Sequence, residues 1–137
     1  MSIIPARGKV DRISWSKMRT EFKDTPRVFL GGGNRVEDMG KIHLEPGEMV
    51  SFVYHGGGEC DFYAMPWGYY LGPSVNSRLK NEGFKTALVM NRPGQLYLNA
   101  VHNTKVDQFL EYLRTNDMGS RLICWLDEFF PGEENGK

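Results

Sequence analysis

Residues 85–114, "KTALVMNRPGQLYLNAVHNTKVDQFLEYLR", decide the fold. The runs "KTALVMN" and "QLYLNAV" read as two strands. Between them stands Arg92-Pro93-Gly94-Gln95, where Pro presets φ and Gly supplies a positive φ, so the two runs read as a hairpin. A helical period follows. Val106, Phe109, Leu110 and Leu113 fall at i, i+3, i+4 and i+7, which predicts a helix over "TKVDQFLEYLR", with Thr104 and Asp107 as its capping box.

Toward the C-terminus "RLICWL" reads as a closing strand and "PGEENGK", residues 131–137, as a mobile tail. Toward the N-terminus, "GPSVNSRLKNEG" predicts a short helix capped by Ser74, carrying Val75 and Leu79 on one face and stopped by Gly83. "ECDFYAM" alternates again, with Cys60, Phe62 and Ala64 opposed to Asp61, Tyr63 and Met65. "GKIHLEPGEMVSFVY" holds a second Pro-Gly hairpin at Pro46-Gly47, and "RVFL" is a strand broken by "GGGN". "SWSKMRTEF", residues 14–22, predicts a helix with Ser14 at the N-cap and Trp15, Met18 and Phe22 at helical spacing. Residues 16–23 echo residues 77–85 in charge and bulk. Hairpins dominate, which predicts one α+β domain over residues 1–130. Its sheet is mainly antiparallel, with about three short helices packed on one face.

Composition bounds the function. The 137 residues suffice for a core without disulfide or metal staples, and 40% hydrophobic content with 12% aromatic is that of a folded globule. No apolar run approaches the twenty or so residues of a membrane span, and "MSIIPARGK" lacks the apolar core of a signal peptide. The expected compartment is the cytoplasm, with Cys60 and Cys124 as buried thiols. Net charge is zero but uneven: +5 over residues 1–35, −1 over 36–106 and −4 over 107–137. A basic and an acidic face on one globule account for this, and head-to-tail self-association is the sharper alternative. The balance is not that of a nucleic-acid binder.

Candidate chemistry crowds into residues 54–78, "YHGGGECDFYAMPWGYYLGPSVNSR". The glycines of "HGGGE" suit a wide hairpin loop needing positive φ. "MPWGYYLGPS" reads as an irregular connection, too aromatic to be idle linker. Trp67, Tyr69 and Tyr70 can wall a pocket and stack on a ring, while Ser74, Asn76 and Arg78 at a helix start can hold an anion. His55 with Glu59 or Asp61 is the one acid–base grouping available. His43, flanked by Lys41 and Glu45, is expected at the surface. Three histidines without short paired spacing predict no metal site, and no cofactor is expected.

Three local likenesses go no further. "IIPARG" resembles the opening of the sugar-nucleotide cytidylyltransferases, which continues into Gly-Ser-Lys on a longer parallel-sheet domain; here it continues "KVDRISW". "HGGG" at 55–58 resembles the oxyanion loop of lipases and esterases, yet their G-x-S-x-G elbow is absent. The strands and turns are similar to a cupin barrel, without its H-x-H pair.

The leading expectation is therefore a small binding or regulatory protein that grips an anionic or aromatic small molecule, or a partner peptide, over residues 66–78. A small enzyme acting on a phosphorylated or carboxylated metabolite, with His55 and Glu59 or Asp61 as acid–base groups, is one alternative. A self-associating or macromolecule-interaction protein is the other.

Overall fold

The computed structural model describes residues 19–31 and 34–129. They form β1 (Arg19–Gly31), β2 (Asn34–His43), β3 (Met49–Val53), β4 (Glu59–Met65), β5 (Gly68–Tyr70), α1 (Arg78–Asn81), β6 (Phe84–Met90), β7 (Leu96–His102), α2 (Val106–Thr115) and β8 (Arg121–Trp125), followed by a 3-10 turn at Leu126–Glu128. The fold is α+β and built from antiparallel hairpins. Its three sheets run β1-β2, β3-β4-β5 and β7-β6-β8. Among the described residues there are two α-helices rather than the three expected. Residues 14–18 of the expected first helix lie outside the described part, as does the tail over 131–137. Arg19, Thr20, Glu21 and Phe22 are strand, paired with His43, Ile42, Lys41 and Gly40. Cross-strand pairing thus overrides the expected helix over Arg19–Phe22, and of the two echoing stretches residues 19–23 are strand whereas residues 78–81 are helix.

The chain divides into two compact units, residues 1–50 with 62–71, and residues 51–61 with 72–137. In the first unit β1 and β2 form a long hairpin whose register slips between Phe22 and Arg27, so that residues 23–26 of β1 bulge against Met39. Pro26 sits in that bulge, one of the few strand positions where a missing N–H costs no ladder bond. Gly40 faces the slip with φ +126°, and a Cβ there would lie 2.0 Å from the Glu21 carbonyl. The Pro46-Gly47 turn forms, with Gly47 at φ +93° and the Glu48 N–H donating to the Glu45 carbonyl at 3.0 Å, but it does not close the expected hairpin: β2 pairs with β1, β3 with β4, and the two lie in separate sheets.

The second unit carries the larger core. Ala87 and Val89 of β6, Val101 of β7 and Leu113 of α2 are buried together, with Val106, Phe109, Leu122 and Trp125 packed against them. Burying each Val or Leu of this set stabilises by about 1.5–3 kcal/mol. The β6–β7 hairpin is in register from Phe84↔His102 to Met90↔Leu96. Its turn lies one residue earlier than the Pro-Gly pair implies. The Gly94 N–H donates to the Asn91 carbonyl at 3.0 Å, leaving Arg92 and Pro93 central and Gly94 at φ +96°.

Helix α2 forms where its period predicts, but Leu110 is exposed and the capping box is absent. The Thr104 hydroxyl instead lies 2.7 Å from Nδ1 of His102. Behind β6, the buried Asp127 accepts the Thr86 N–H and the Lys85 ammonium, both at 3.0 Å. Lys85 also lies 4.8 Å from the Trp125 ring centroid. Among the described residues no helix is long and apolar enough to cross a membrane.

Candidate functional site

Within the second unit, residues 54–58 turn β3 into β4. Tyr54 donates its N–H to the Gly58 carbonyl at 3.0 Å, and the Gly57 N–H returns to the Tyr54 carbonyl at 2.9 Å. Gly57 and Gly58 have φ of +97° and +99°, the positive values expected of "HGGGE". Gly58 is also squeezed: a Cβ there would stand 2.3 Å from the Glu82 carbonyl and 2.8 Å from the Phe84 ring. The glycines are thus accounted for by backbone geometry and close approach. His55 is exposed, its ring 4.5 Å from that of Tyr54, which also stacks on His102 at 5.3 Å. Glu59 is exposed and gives its N–H to the Glu82 carboxylate at 2.8 Å.

Asp61 has the opposite environment. It is 1% exposed, and both carboxylate oxygens are engaged: Oδ1 accepts the Ser51 hydroxyl at 2.6 Å and Oδ2 the Arg78 guanidinium at 2.5 Å. Such a carboxylate is a structural anion held by a cation, with its lone pairs directed inward. Next to it, burial pushes the Cys60 thiol up and the Asp61 charge pushes it further, against a smaller pull from Arg78. The thiolate is disfavoured, which makes Cys60 a poor nucleophile. Among the described residues no three His, Cys, Asp or Glu side chains are grouped to hold a metal ion.

The segment expected to begin a helix at Ser74 is a run of turns until Arg78. The Ser74 hydroxyl accepts the Arg78 N–H at 2.9 Å, and its carbonyl accepts that of Leu79 at 2.9 Å. Ser74 therefore organises the turn while helix α1 itself spans four residues, too few for a developed end dipole. Asn76 is exposed. Gly72, at φ +106°, lets the backbone pass Cys60, whose sulfur would lie 3.2 Å from an added Cβ.

In the first unit "MPWGYY" is regular where an irregular connection was expected. Tyr63, Ala64 and Met65 of β4 pair with Tyr70, Tyr69 and Gly68 of β5 across a two-residue turn at Pro66-Trp67. Gly68, at φ +140°, permits that turn. The rings of Tyr63 and Tyr70 meet edge to face at 5.8 Å, and Trp67 lies 6.2 Å from Tyr70. Trp67 is 68% exposed, Tyr69 and Tyr70 each 57%, and Leu71 64%. Direct cross-strand partners share a face, so Tyr70 joins Tyr63 while Tyr69 joins the opposite face with Ala64.

The expected ligand set thus falls into two groups, Trp67, Tyr69 and Tyr70 in the first unit and Ser74, Asn76 and Arg78 in the second. Sequence reading missed the Arg78–Asp61 pair. Its one signal was an Asp at an alternating strand position, which alone does not identify the partner. No family model, curated protein or solved structure matches this chain.

Proposed function

We propose that this is a non-catalytic binding protein whose recognition surface is the aromatic hairpin tip of residues 67–71, and that its ligand is a partner peptide. The observation that carries this reading is the exposure of Trp67, Tyr69, Tyr70 and Leu71 on one short hairpin. Consecutive large apolar side chains facing water are costly to solubility, and aromatic residues of this kind supply the anchors of protein interfaces. β5 is also an edge strand of its sheet, so a docked segment can add main-chain hydrogen bonds beside aromatic contacts. Engagement of Arg78 by Asp61 favours a peptide over an anionic metabolite, and engagement of Asp61 weighs against the acid–base alternative.

A selection of random dodecapeptides on the immobilised full chain tests this. Enriched peptides should bind the wild type and lose at least tenfold in affinity, about 1.4 kcal/mol, on Trp67→Ser or Tyr70→Ser with unchanged thermal stability. Peptides that bind both variants like wild type, or no enrichment at all, would overturn it.

A second reading, self-association, is favoured by the β1–β2 hairpin. Phe29 lies opposite Val36, and Phe22 opposite Gly40, placing both phenylalanines on the face of β2 that carries Val36, Asp38 and Gly40. Phe22, Phe29 and Val36 are all exposed there. Sedimentation velocity over a hundredfold concentration range should show assembly that Phe29→Ser abolishes; a monomer throughout removes this reading.

A further inference from the structure

We propose that the second unit holds a site for a small, uncharged, planar molecule bearing an adjacent donor and acceptor, such as a carboxamide or lactam. The site is a hollow of about 170 Å³ where β6 and β7 meet the C-terminal half of α2 and the connection to β8. Val89, Leu113 and Met118 supply its apolar lining, and the remaining lining groups are Asn91, Tyr97, Asn99, Tyr112 and Ser120.

These polar groups are of two kinds. Asn91, 2% exposed, is fully employed in the hairpin: its amide donates to the Gln95 side chain at 2.8 Å, and its Oδ1 accepts the Gln95 N–H at 2.8 Å. The Tyr97 hydroxyl donates to the same Gln95 oxygen at 3.0 Å. This network makes one wall rigid. Asn99 and Tyr112 differ, for their side chains make no hydrogen bond to another described residue. Ser120 reaches Asn116 only at 3.5 Å, the limit of a hydrogen bond.

Asn99 is the informative residue. It lies directly across from Ala87, which is fully buried, and alternates along β7 with Val101 of the core. That register calls for an apolar side chain. An amide placed there is half-buried yet still reached by solvent, so its hydrogen-bonding groups can meet a molecule that enters the hollow. No other described residue hydrogen-bonds the Asn99 amide, so its donor and acceptor stay available to a molecule in the hollow. Asn presents a donor and an acceptor side by side, the complement of an amide edge.

Charge and size narrow the class. Among the described residues that line the hollow there is no Asp, Glu, Lys, Arg or His, so an ion gains no counter-charge from them. At the packing density of protein interiors, about 0.74, the space takes on the order of 125 Å³ of ligand, roughly one six-membered ring with a carboxamide.

The proposal stands independently of the peptide reading. Its test is a titration of the isotope-labelled full chain with benzamide, and in parallel with benzoate, its anionic counterpart, to about 10 mM, following backbone amide resonances. Benzamide should shift Val89, Asn99, Tyr112 and Ser120 saturably with a Kd of roughly 1 mM, as suits a ligand of this size. Benzoate should bind at least tenfold more weakly. Asn99→Leu, similar in volume, should abolish the shifts, and Tyr112→Phe, which leaves the ring in place, should weaken them several-fold. Absence of saturable shifts, equal binding of benzoate, or undiminished binding by both variants would overturn the site. Should Asn99→Leu fail to fold, Tyr112→Phe and the benzoate comparison decide.

Discussion

Replacing Arg78 by Ala should destabilise the protein. The carboxylate of Asp61 is 1% exposed, whereas half of the Arg78 side chain, 53%, meets solvent. Removing one partner of a wholly buried pair costs about 3–5 kcal/mol, because a charge is left in a poor solvent. Exposed pairs contribute about 0–1 kcal/mol, because water takes over the missing partner's role. Arg78–Asp61 lies between these limits, and the water admitted where the guanidinium stood screens part of the exposed charge. The expected loss is about 2 kcal/mol, or a fall in Tm of roughly 6–8 °C for a chain of this length. Asp61→Asn in the Arg78→Ala background removes the buried charge while keeping an acceptor for the Ser51 hydroxyl, and should recover about 1 kcal/mol. Urea unfolding of the two single variants and the double variant at pH 7 measures the cycle. Were Arg78 chiefly a ligand anchor, Arg78→Ala would leave stability within about 0.5 kcal/mol of wild type. That result, or a double variant no more stable than Arg78→Ala alone, refutes the reasoning.

Other perturbations read other parts of the fold. Burial pushes the Asp127 carboxyl up, but the Lys85 ammonium and the Thr86 N–H outweigh it and hold the group below its usual range. Its stabilisation is therefore present above about pH 4 and lost as pH falls through the lowered folded value; urea unfolding between pH 2 and 7 should show a steeper acid limb in wild type than in Asp127→Asn. Gly58→Ala should cost at least about 2 kcal/mol in the same assay, since it joins a positive φ to a collision with the Glu82 carbonyl. Thr86→Val should gain about 1 kcal/mol in thermal unfolding, because the buried Thr86 hydroxyl has no partner among the described residues while its N–H remains on Asp127.

Local signals located the elements whose cause is local. The positive-φ glycines at 47, 57, 58 and 94 and the 3.6-residue period of α2 were legible because turn geometry and amphipathicity reside in a few neighbouring residues. Helical spacing at 14–22 misled over Arg19–Phe22, because the partners that make those residues a strand lie some twenty positions away in β2. "MPWGYY" misled in the other direction: its aromatic content hid a two-residue turn at Pro66-Trp67, flanked by the positive-φ Gly68. The candidate site was legible in part. Trp67, Tyr69 and Tyr70 were expected to wall a pocket and instead stand exposed on a hairpin, and the pairing of Arg78 with Asp61 was not legible.

From the letters alone come the α+β class, the positive-φ turns and the main helix. Long-range contact settles the rest: that Arg78 pairs with Asp61, and that Asn99 faces a hollow instead of a filled core. The division has one physical cause. Turn and helix preferences are properties of the backbone over three or four residues, whereas burial and ion pairing depend on which distant side chains arrive beside a group and displace its water.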